Sequence, residues 1–284
     1  MFAERFEYTV PKTIDEALHL LAAGAKPLAG GMSLIPMMKL RLAAPAHLVD
    51  LGKLKDLNYI RESDGALHIG ATTTHDDLER SPILQEKCPL LAETAAAIGD
   101  VQVRNMGTIG GSVAHADPSA DYPAAFQSLE ARLVLQTANS ERTISAEDFF
   151  VDSFTTSLQP GEIIREVIVP VEAAGTGTRY QKMPHPASGF AIVGIAARVR
   201  RSGANIAFVR LGITGLSNCA YRAVDAEKAL EGKVGSTVEI QNAAALVAKR
   251  VDANSDLHAS AEFRRHLAVV HATRALTAAL ARTT

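Results

Sequence analysis

The sequence of 284 residues lacks the features that mark several large classes of protein. It has two cysteines, Cys88 and Cys219, too few for a four-cysteine iron–sulfur cluster or zinc site. It has no tryptophan and only 5% aromatic residues, so it lacks the stacking platforms of single-strand nucleic-acid binders. Its net charge of −2 provides no basic field for nucleic acid or an anionic membrane.

Long apolar runs are absent as well. The run FAIVGIAA at residues 190–197 is far shorter than the roughly 20 residues that a membrane-spanning helix needs. The first residues, MFAER, lack the basic start and apolar core of a signal peptide. The histidines show no metal-binding spacing such as H-E-x-x-H. We therefore expect a cytoplasmic protein that has no membrane span, binds no nucleic acid and holds no metal of its own.

The first part of the chain, residues 1–172, alternates short helices and strands. A helix is predicted after Thr13, which can cap it, and another after Thr74, with an acidic residue three positions on in both cases. Two strand-like runs flank Asp64-Gly65, a strong hairpin signal. Residues 171–178 (VEAAGTGT) are rich in glycine, alanine and threonine, and we place a domain boundary there.

The second part of the chain indicates an antiparallel sheet followed by helices. Three strand-like runs follow the boundary, and helical patterns occupy residues 223–231, 237–251 and 261–281. In the last helix we expect Phe263, Leu267 and Val270 to share the core-facing side. Strands and then helices, in blocks, are typical of an α+β module.

Two glycine pairs carry the main functional signal. The first glycine segment is AGGMS at residues 29–33, and the second glycine segment is TIGGS at residues 108–112. Consecutive glycines bare amide groups and admit positive φ, and Ser33 and Thr108 add hydroxyls. Two such segments together suit a pyrophosphate, which needs convergent donors and a close approach to the backbone. Neither matches the P-loop or the G-x-G-x-x-G fingerprint, and two ordinary tight turns remain the alternative.

Charged residues near the second glycine segment have two readings each. Asp121 either binds sugar hydroxyls of a dinucleotide or caps the helix that follows, and Asp117 either does the same or belongs to an Asp-Pro turn. Arg104 either helps to neutralise phosphate or is a surface charge. Three histidines have no partner constellation and are interpreted as polar loop residues rather than acid–base groups: His75, His115 and His185.

Four stretches in this order resemble the FAD-binding medium subunits of the molybdenum hydroxylases. They are AGGMSLIPMMKLRLAAPAHLVDL, IGATTTHDDL, VRNMGTIGGSVAHADPSADYPAA and GEIIREVIVP. The likeness is greatest to medium subunits of the bacterial carbon monoxide dehydrogenase type and spans essentially the whole chain. It implies a two-lobed FAD-binding domain of the PCMH type at residues 1–172. It also implies a carbon monoxide dehydrogenase flavoprotein-like C-terminal domain at residues 178–284.

The resemblance also implies roles for individual residues. Both glycine segments would hold the FAD pyrophosphate, Ile109 would lie against the isoalloxazine, and Asp121 would contact the sugar region. Ile98 would line the cofactor, and Ile163 and Lys182 match flavin-proximal positions. The cofactor-binding residues implied in this way are Ala29, Gly30, Gly31, Met32, Ser33, Leu34, Ile98, Thr108, Ile109, Gly110, Gly111, Ser112, Asp121, Ile163 and Lys182.

One motif departs from the family pattern. Many relatives carry G-D-Y-A or G-D-W-A before the last long strand, whereas this chain has Ser188-Gly189-Phe190-Ala191. The aromatic ring is retained as Phe190, but its polar group and the acid are lost. The polarity around the flavin, and with it the electron acceptor, is therefore open.

The resemblance implies an oxidoreductase subunit with non-covalent FAD and no catalytic residue of its own. Molybdopterin would sit on a large partner subunit and [2Fe-2S] clusters on a small one, in a dimer of heterotrimers. FAD here would pass electrons from those clusters to an external acceptor. Two alternatives remain, a stand-alone FAD-dependent oxidoreductase of the same fold and a non-catalytic FAD-binding assembly module. The substrate is not readable, because its pocket would belong to another chain.

Overall fold

The first lobe is built on a small parallel sheet. The structure, a computed structural model, describes residues 2–283. The sheet has the strand order β1-β3-β2 and consists of β1 (Glu7–Thr9), β2 (Lys26–Leu28) and β3 (His47–Asp50). Two helices belong to this lobe, α1 (Ile14–Ala22) and α2 (Leu34–Lys39). The predicted cap of α1 is confirmed, because the Thr13 hydroxyl accepts the amide of Glu16.

The second lobe contains a five-stranded antiparallel sheet with the order β4-β5-β10-β6-β7. Its strands are β4 (Ile60–Ser63), β5 (Ala66–Gly70), β6 (Arg132–Gln136), β7 (Glu141–Ser145) and β10 (Ile163–Pro170). A small hairpin consists of β8 (Phe150–Asp152) and β9 (Thr155–Thr156). The helices are α3 (His75–Arg80), α4 (Pro82–Lys87), α5 (Pro89–Ala96), α6 (Val101–Met106), α7 (Ile109–His115), α8 (Tyr122–Leu129) and α9 (Ala146–Phe149).

Local signals in this lobe behave as the sequence predicts. Asp64 and Gly65 both have positive φ, 52° and 73°, which is the type I′ geometry that suits a two-residue hairpin between β4 and β5. The Thr74 side chain caps α3 and forms a full capping box with Asp77.

Strand β10 connects the two lobes. It lies at the centre of the second sheet, between β5 and β6, although it comes last of the five strands in the sequence. Its first residue, Ile163, is 3% exposed and packs in the core of the first lobe, with Leu18, Val49 and Leu57 among its neighbours in that cluster. The first residue of this strand therefore belongs to the core of the first lobe, while the strand itself belongs to the sheet of the second.

The C-terminal part is an antiparallel meander backed by helices, as the sequence predicts. Its strands are β11 (Thr176–Pro184), β12 (Ala191–Ser202), β13 (Asn205–Thr214) and β14 (Tyr221–Arg222). Its helices are α10 (Val224–Leu230), α11 (Thr237–Ala244) and α12 (Ala261–Leu280). Helix α11 ends at Ala244, so the prediction of a helix to residue 251 is wrong. Residues 245–250 continue as turns instead.

The core-facing side of α12 differs from the expectation. Phe263 is 44% exposed, because the buried stripe runs through Leu267, His271 and Leu276. Arg264 is buried on this stripe, where its guanidinium donates to backbone carbonyls of Ile192 and Gly215. An arginine therefore occupies a position that hydrophobic periodicity assigns to an apolar residue.

Helix α8 lies between the second lobe and the C-terminal sheet. All eight of its residues are buried, as expected for a helix covered on every side. It approaches β13 so closely that a Cβ atom at Gly212 would lie 1.9 Å from the carbonyl oxygen of Ala124. Among the residues that the structure describes, no helix is long and apolar enough to cross a membrane.

Candidate functional site

The first glycine segment leaves a row of backbone donors unused. It lies between β2 and α2, and Gly31 has a φ of 74°, which a side chain would strain. The amides of residues 30–34 donate to no acceptor within residues 2–283. None of these five residues is fully buried. Unpaired amides at the start of a helix favour an anionic group.

The first glycine segment rests directly on the chain just before the second one. A Cβ atom at Gly30 would lie 1.9 Å from the carbonyl oxygen of Met106 and 2.8 Å from Gly107 Cα. No side chain fits between these backbones. The glycine at this position therefore lets the two lobes bring their segments into contact, which places the free amides close to the start of the second glycine segment.

The second glycine segment is organised differently from the first. Its glycines form the first turn of α7, which Thr108 caps, so they are helical rather than a backbone-baring turn. Four of its amides already donate hydrogen bonds within the protein. The bonds run from Ile109 to Thr73 O (3.0 Å), from Gly110 to Ala71 O (2.9 Å), from Gly111 to Thr108 Oγ1 (3.1 Å) and from Ser112 to Thr108 O (3.0 Å). The expectation of bared amides in both segments is therefore wrong for residues 109–112.

The two glycines of this turn face opposite ways. Gly110 is buried, and a Cβ atom there would lie 2.6 Å from Ala71 Cβ, so this glycine allows α7 to pack on the second lobe. Gly111 is exposed, and beside it the Ser112 hydroxyl has no partner within the described residues. Only the outer side of the turn is open to a ligand.

Three isoleucines expected at the cofactor differ in accessibility. Ile109 has no exposed surface and Ile163 is 3% exposed, so both side chains belong to the protein core. Ile98 is half-buried after α5. Arg104 pairs with Glu79 and donates to the carbonyl oxygens of Ile98 and Gly99, so it fixes this segment rather than standing as a free surface charge.

Asp121 and Lys182, both expected near the flavin, form a buried ion pair. Lys182 Nζ lies 2.9 Å from Asp121 Oδ2 and also donates to Ala97 O, beside Ile98. Tyr180 donates its hydroxyl to Asp121 Oδ1 at 2.5 Å. Burial raises the pKa of Asp121, and the neighbouring Lys182 and Tyr180 partly offset this effect.

This cluster decides against one interpretation of Asp121. It also contains a residue, Tyr180, that was not predicted from the sequence. The Asp121 side chain makes no capping hydrogen bond to α8, so the helix-cap interpretation is wrong. Tyr180 was missed, although it lies two residues before Lys182 on β11 and therefore points to the same face of the strand. The alternation of side chains along β11 could have identified Tyr180 as a neighbour of Lys182.

His75 is a buried residue behind the second glycine segment, not a polar loop residue as expected. It is 4% exposed, its Nδ1 is hydrogen bonded to the Tyr122 hydroxyl at 2.9 Å, and its Nε2 lies under Gly107. Burial, with a smaller contribution from Arg104, lowers the pKa of His75 to about 4. The imidazole is therefore neutral at physiological pH.

His75 should make the protein sensitive to acid. Its pKa in the folded chain, about 4, lies below the ordinary value of 6.5, so protonation favours the unfolded chain. The stability of the neutral state is fully present above pH 6.5 and is lost as the pH falls toward 4, by about 3 kcal/mol. Urea unfolding across this range measures the loss. His75→Asn retains a partner for Tyr122 without titrating, and an equally steep loss in that variant would contradict the assignment.

A small cavity lies beside Phe190, on the side of the C-terminal sheet near the second lobe. Its volume is about 180 Å³, and Phe190 at its edge is 43% exposed. Its polar lining comes from three separate parts of the chain: Asp117 and Ser119, His185 and Ser188, and Asp256, His258 and Arg264. Within residues 2–283, no group of three or more His, Cys, Asp or Glu side chains is arranged to hold a metal ion.

Taken together, the two glycine segments offer donors that suit the phosphates of a dinucleotide. The first glycine segment offers free amides and Ser33, and the second offers Gly111 and the Ser112 hydroxyl. Lys182 Nζ donates to Ala97 O, and a Cβ atom built on Gly189 would lie 3.2 Å from Gly99 Cα. Ile98 and Phe190, which adjoin these two glycines, therefore provide apolar groups for a flat ring on two neighbouring segments.

Two protein-family models match the chain. The model described as the FAD binding domain in molybdopterin dehydrogenase matches residues 4–172. The model described as the CO dehydrogenase flavoprotein C-terminal domain matches residues 178–279.

Individual relatives match over nearly the full chain. The carbon monoxide dehydrogenase medium chain of Hydrogenophaga pseudoflava is 41% identical over 99% of both chains. The glyceraldehyde dehydrogenase medium chain of Sulfolobus acidocaldarius is 35% identical over 95% of this chain and 96% of its own.

Solved structures agree with the sequence matches. A structure of carbon monoxide dehydrogenase from Hydrogenophaga pseudoflava superimposes with a TM-score of 0.96 at 43% identity, covering 99% of both chains. Quinoline 2-oxidoreductase from Pseudomonas putida 86 gives 0.95 at 30% identity, covering 100% of this chain and 99% of its own. The chain therefore belongs to the FAD-binding medium subunits of the molybdenum hydroxylases, as its motifs predict.

Proposed function

We propose that this chain uses FAD to pass electrons from iron–sulfur clusters on a partner subunit to an external acceptor. Membership of the family makes it the FAD-binding medium subunit of an oxidoreductase complex. The observation that carries the proposal is the row of unpaired amides at residues 30–34, in a segment that packs on the chain just before the second glycine segment. The electron path itself is the proposed part.

The residues assigned to FAD fall into two groups by their accessibility. Those with free donors or open surface would contact the cofactor: Ala29, Gly30, Gly31, Met32, Ser33, Leu34, Gly111, Ser112 and Ile98. The others would shape the site from behind, with their side chains buried or engaged: Thr108, Ile109, Gly110, Asp121, Ile163 and Lys182. We propose no covalent attachment, since neither glycine segment contains a histidine or cysteine.

When bound, FAD would accept and release electrons one or two at a time. The chain's own residues bind and orient it. Lys182 keeps a buried positive charge beside the Ile98 segment, and Phe190 offers an apolar face with no polar group on its ring. No nucleophile or general base is needed in this role.

The proposed partners are a large molybdopterin-binding subunit and a small iron–sulfur subunit. The sequence's two cysteines lie at distant positions and cannot ligate a cluster between them, so the clusters must be held by another chain. We propose a dimer of heterotrimers in the cytoplasm. The substrate would be chosen by the large subunit.

Partner dependence tests this function. The purified FAD-loaded chain should show no bleaching of flavin absorbance in stopped-flow mixing with aldehydes, N-heterocycles or carbon monoxide. The same flavin should bleach when the chemically reduced iron–sulfur subunit is added. Bleaching by a substrate alone would contradict the proposal and favour a stand-alone oxidoreductase. Failure to bleach with the reduced partner would favour a non-catalytic FAD-binding module.

A further inference from the structure

The loop between β11 and β12, residues 185–190, is closed on itself by its first residue. The amide of His185 donates to Phe190 O at 2.7 Å, and the amide of Gly189 donates back to His185 O at 2.9 Å. Gly189 has a φ of 73°, which the tight return of the chain requires. These two backbone hydrogen bonds therefore hold Phe190 next to His185 without help from side chains.

The imidazole of His185 is an acceptor at the centre of this loop. Its Nδ1 lies 3.3 Å from the amide of Ala187, 3.2 Å from the amide of Ser188 and 3.1 Å from Ser188 Oγ. Amides only donate, so Nδ1 must present its lone pair to them. The ring proton must therefore be on Nε2, which faces His258 Nδ1 at 3.1 Å. His258 Nδ1 accepts the hydrogen bond from this N–H and thereby fixes the tautomer.

The loop also lies at the edge of the proposed flavin site. Gly189 packs on Gly99, next to Ile98, and the amide of Ala191 donates to Ser119 O in the second lobe. Any shift of the loop would move Phe190 relative to the Ile98 segment. A residue that organises this loop thus controls one wall of that site.

We propose that His185, as its neutral Nε2–H tautomer, is a positioning residue that locks the Phe190 loop against the Ile98–Gly99 segment. The inference rests on the proposed function for its meaning, but the lock itself is a property of the chain. A proton on Nδ1 would set an N–H against two amide donors, so the cationic imidazole cannot hold the loop. The lock therefore opens when His185 is protonated.

Neighbouring charges do not substitute for the lost acceptor. Asp256 is engaged by Arg264 of α12 at 2.6 Å and by the amides of His258 and Ala259. Asp117, on the loop after α7, accepts the amide of Ser119. The titratable and charged groups around the cavity are Asp117, Asp256, His258 and Arg264.

Two variants separate a lock from a general structural role. In His185→Asn, the side-chain oxygen can occupy the place of Nδ1 as an acceptor and does not titrate. In His185→Ala, the acceptor is lost. Hydrogen–deuterium exchange of residues 187–191, as protection factors corrected for intrinsic rates, is measured in the full chain at pH 7.5 and pH 5. Peptides from α12 serve as an internal reference for folding.

The parent should lose about tenfold protection in this loop between pH 7.5 and pH 5, while α12 is unchanged. His185→Asn should stay protected at both values, and His185→Ala should be unprotected at both. Nitrogen NMR should show His185 with an unprotonated Nδ1 at pH 7.5. The inference is overturned if His185→Asn responds to pH like the parent, or if Nδ1 carries the proton.

FAD titration of the same proteins keeps this result apart from the proposed function. A locked loop in a chain that binds no FAD would leave the inference standing and refute the proposed function. The opposite result is a chain that binds FAD and relays electrons through it while the protection of its loop does not depend on His185. That result would refute the inference and leave the proposed function standing. The pH profile of the flavin absorbance should follow the loop in the parent and be flat in His185→Asn.

Discussion

Gly30→Ala is expected to weaken FAD binding by about 100-fold or more. The added Cβ would lie 1.9 Å from the carbonyl oxygen of Met106, a backbone atom that cannot rotate away. The first glycine segment must then move off the second lobe, and its free amides no longer converge. Loss of about three hydrogen bonds at ~1 kcal/mol each corresponds to a dissociation constant raised by ~100-fold or more. Fluorescence titration of the apo chain with FAD measures this.

Gly203→Ala is the matched control for that substitution. Gly203 also lies in a tight turn, with a φ of 60°, but no neighbouring atom lies within 4 Å of the position that a Cβ atom would take there. The variant should lose about 1 kcal/mol of stability through backbone strain and retain the affinity of the parent for FAD. If Gly30→Ala bound FAD as tightly as Gly203→Ala does, the first glycine segment would not be part of the site.

Lys182→Met is expected to cost about 3–5 kcal/mol of folding free energy. The substitution leaves the Asp121 carboxylate buried, 4% exposed, with the Tyr180 hydroxyl as its remaining partner. A buried charge without its counter-ion is far more costly than a missing pair. Urea unfolding followed by circular dichroism at pH 7 measures the loss.

The double variant Asp121→Asn/Lys182→Met tests the cause of that loss. Asparagine keeps an acceptor for Tyr180 and carries no charge, so the double variant should recover at least half of the stability that Lys182→Met loses. Additive losses from the two substitutions would show instead that Lys182 acts mainly through its bond to Ala97 O.

The sequence could predict those parts of the site that depend on local chemistry. The free amides of the first glycine segment follow from a Gly pair between a strand and a helix, and the Thr74 and Thr13 caps follow from residues three positions apart. The resemblance supplied the family, which the two matching family models confirm.

The parts that could not be predicted depend on contacts between distant residues. Gly110 is a glycine because Ala71 lies against it, and nothing within the second glycine segment reveals that neighbour. The same is true of Asp121, whose partners lie about 60 residues away on β11. Helical periodicity placed Phe263 inside and could not anticipate that buried Arg264 binds the backbone carbonyls of Ile192 on β12 and of Gly215 after β13.

The position of β10 has a consequence for how the chain is made. This strand fills the middle of the second sheet and completes the first core through Ile163, yet it is synthesised after the other four strands of that sheet. Until then β5 and β6 each expose an unpaired edge, and the first lobe lacks part of its lining. Neither lobe can be completed during early translation. The nascent chain therefore exposes strand edges and apolar core surface until β10 has been made. Chaperone binding would protect it most during that time.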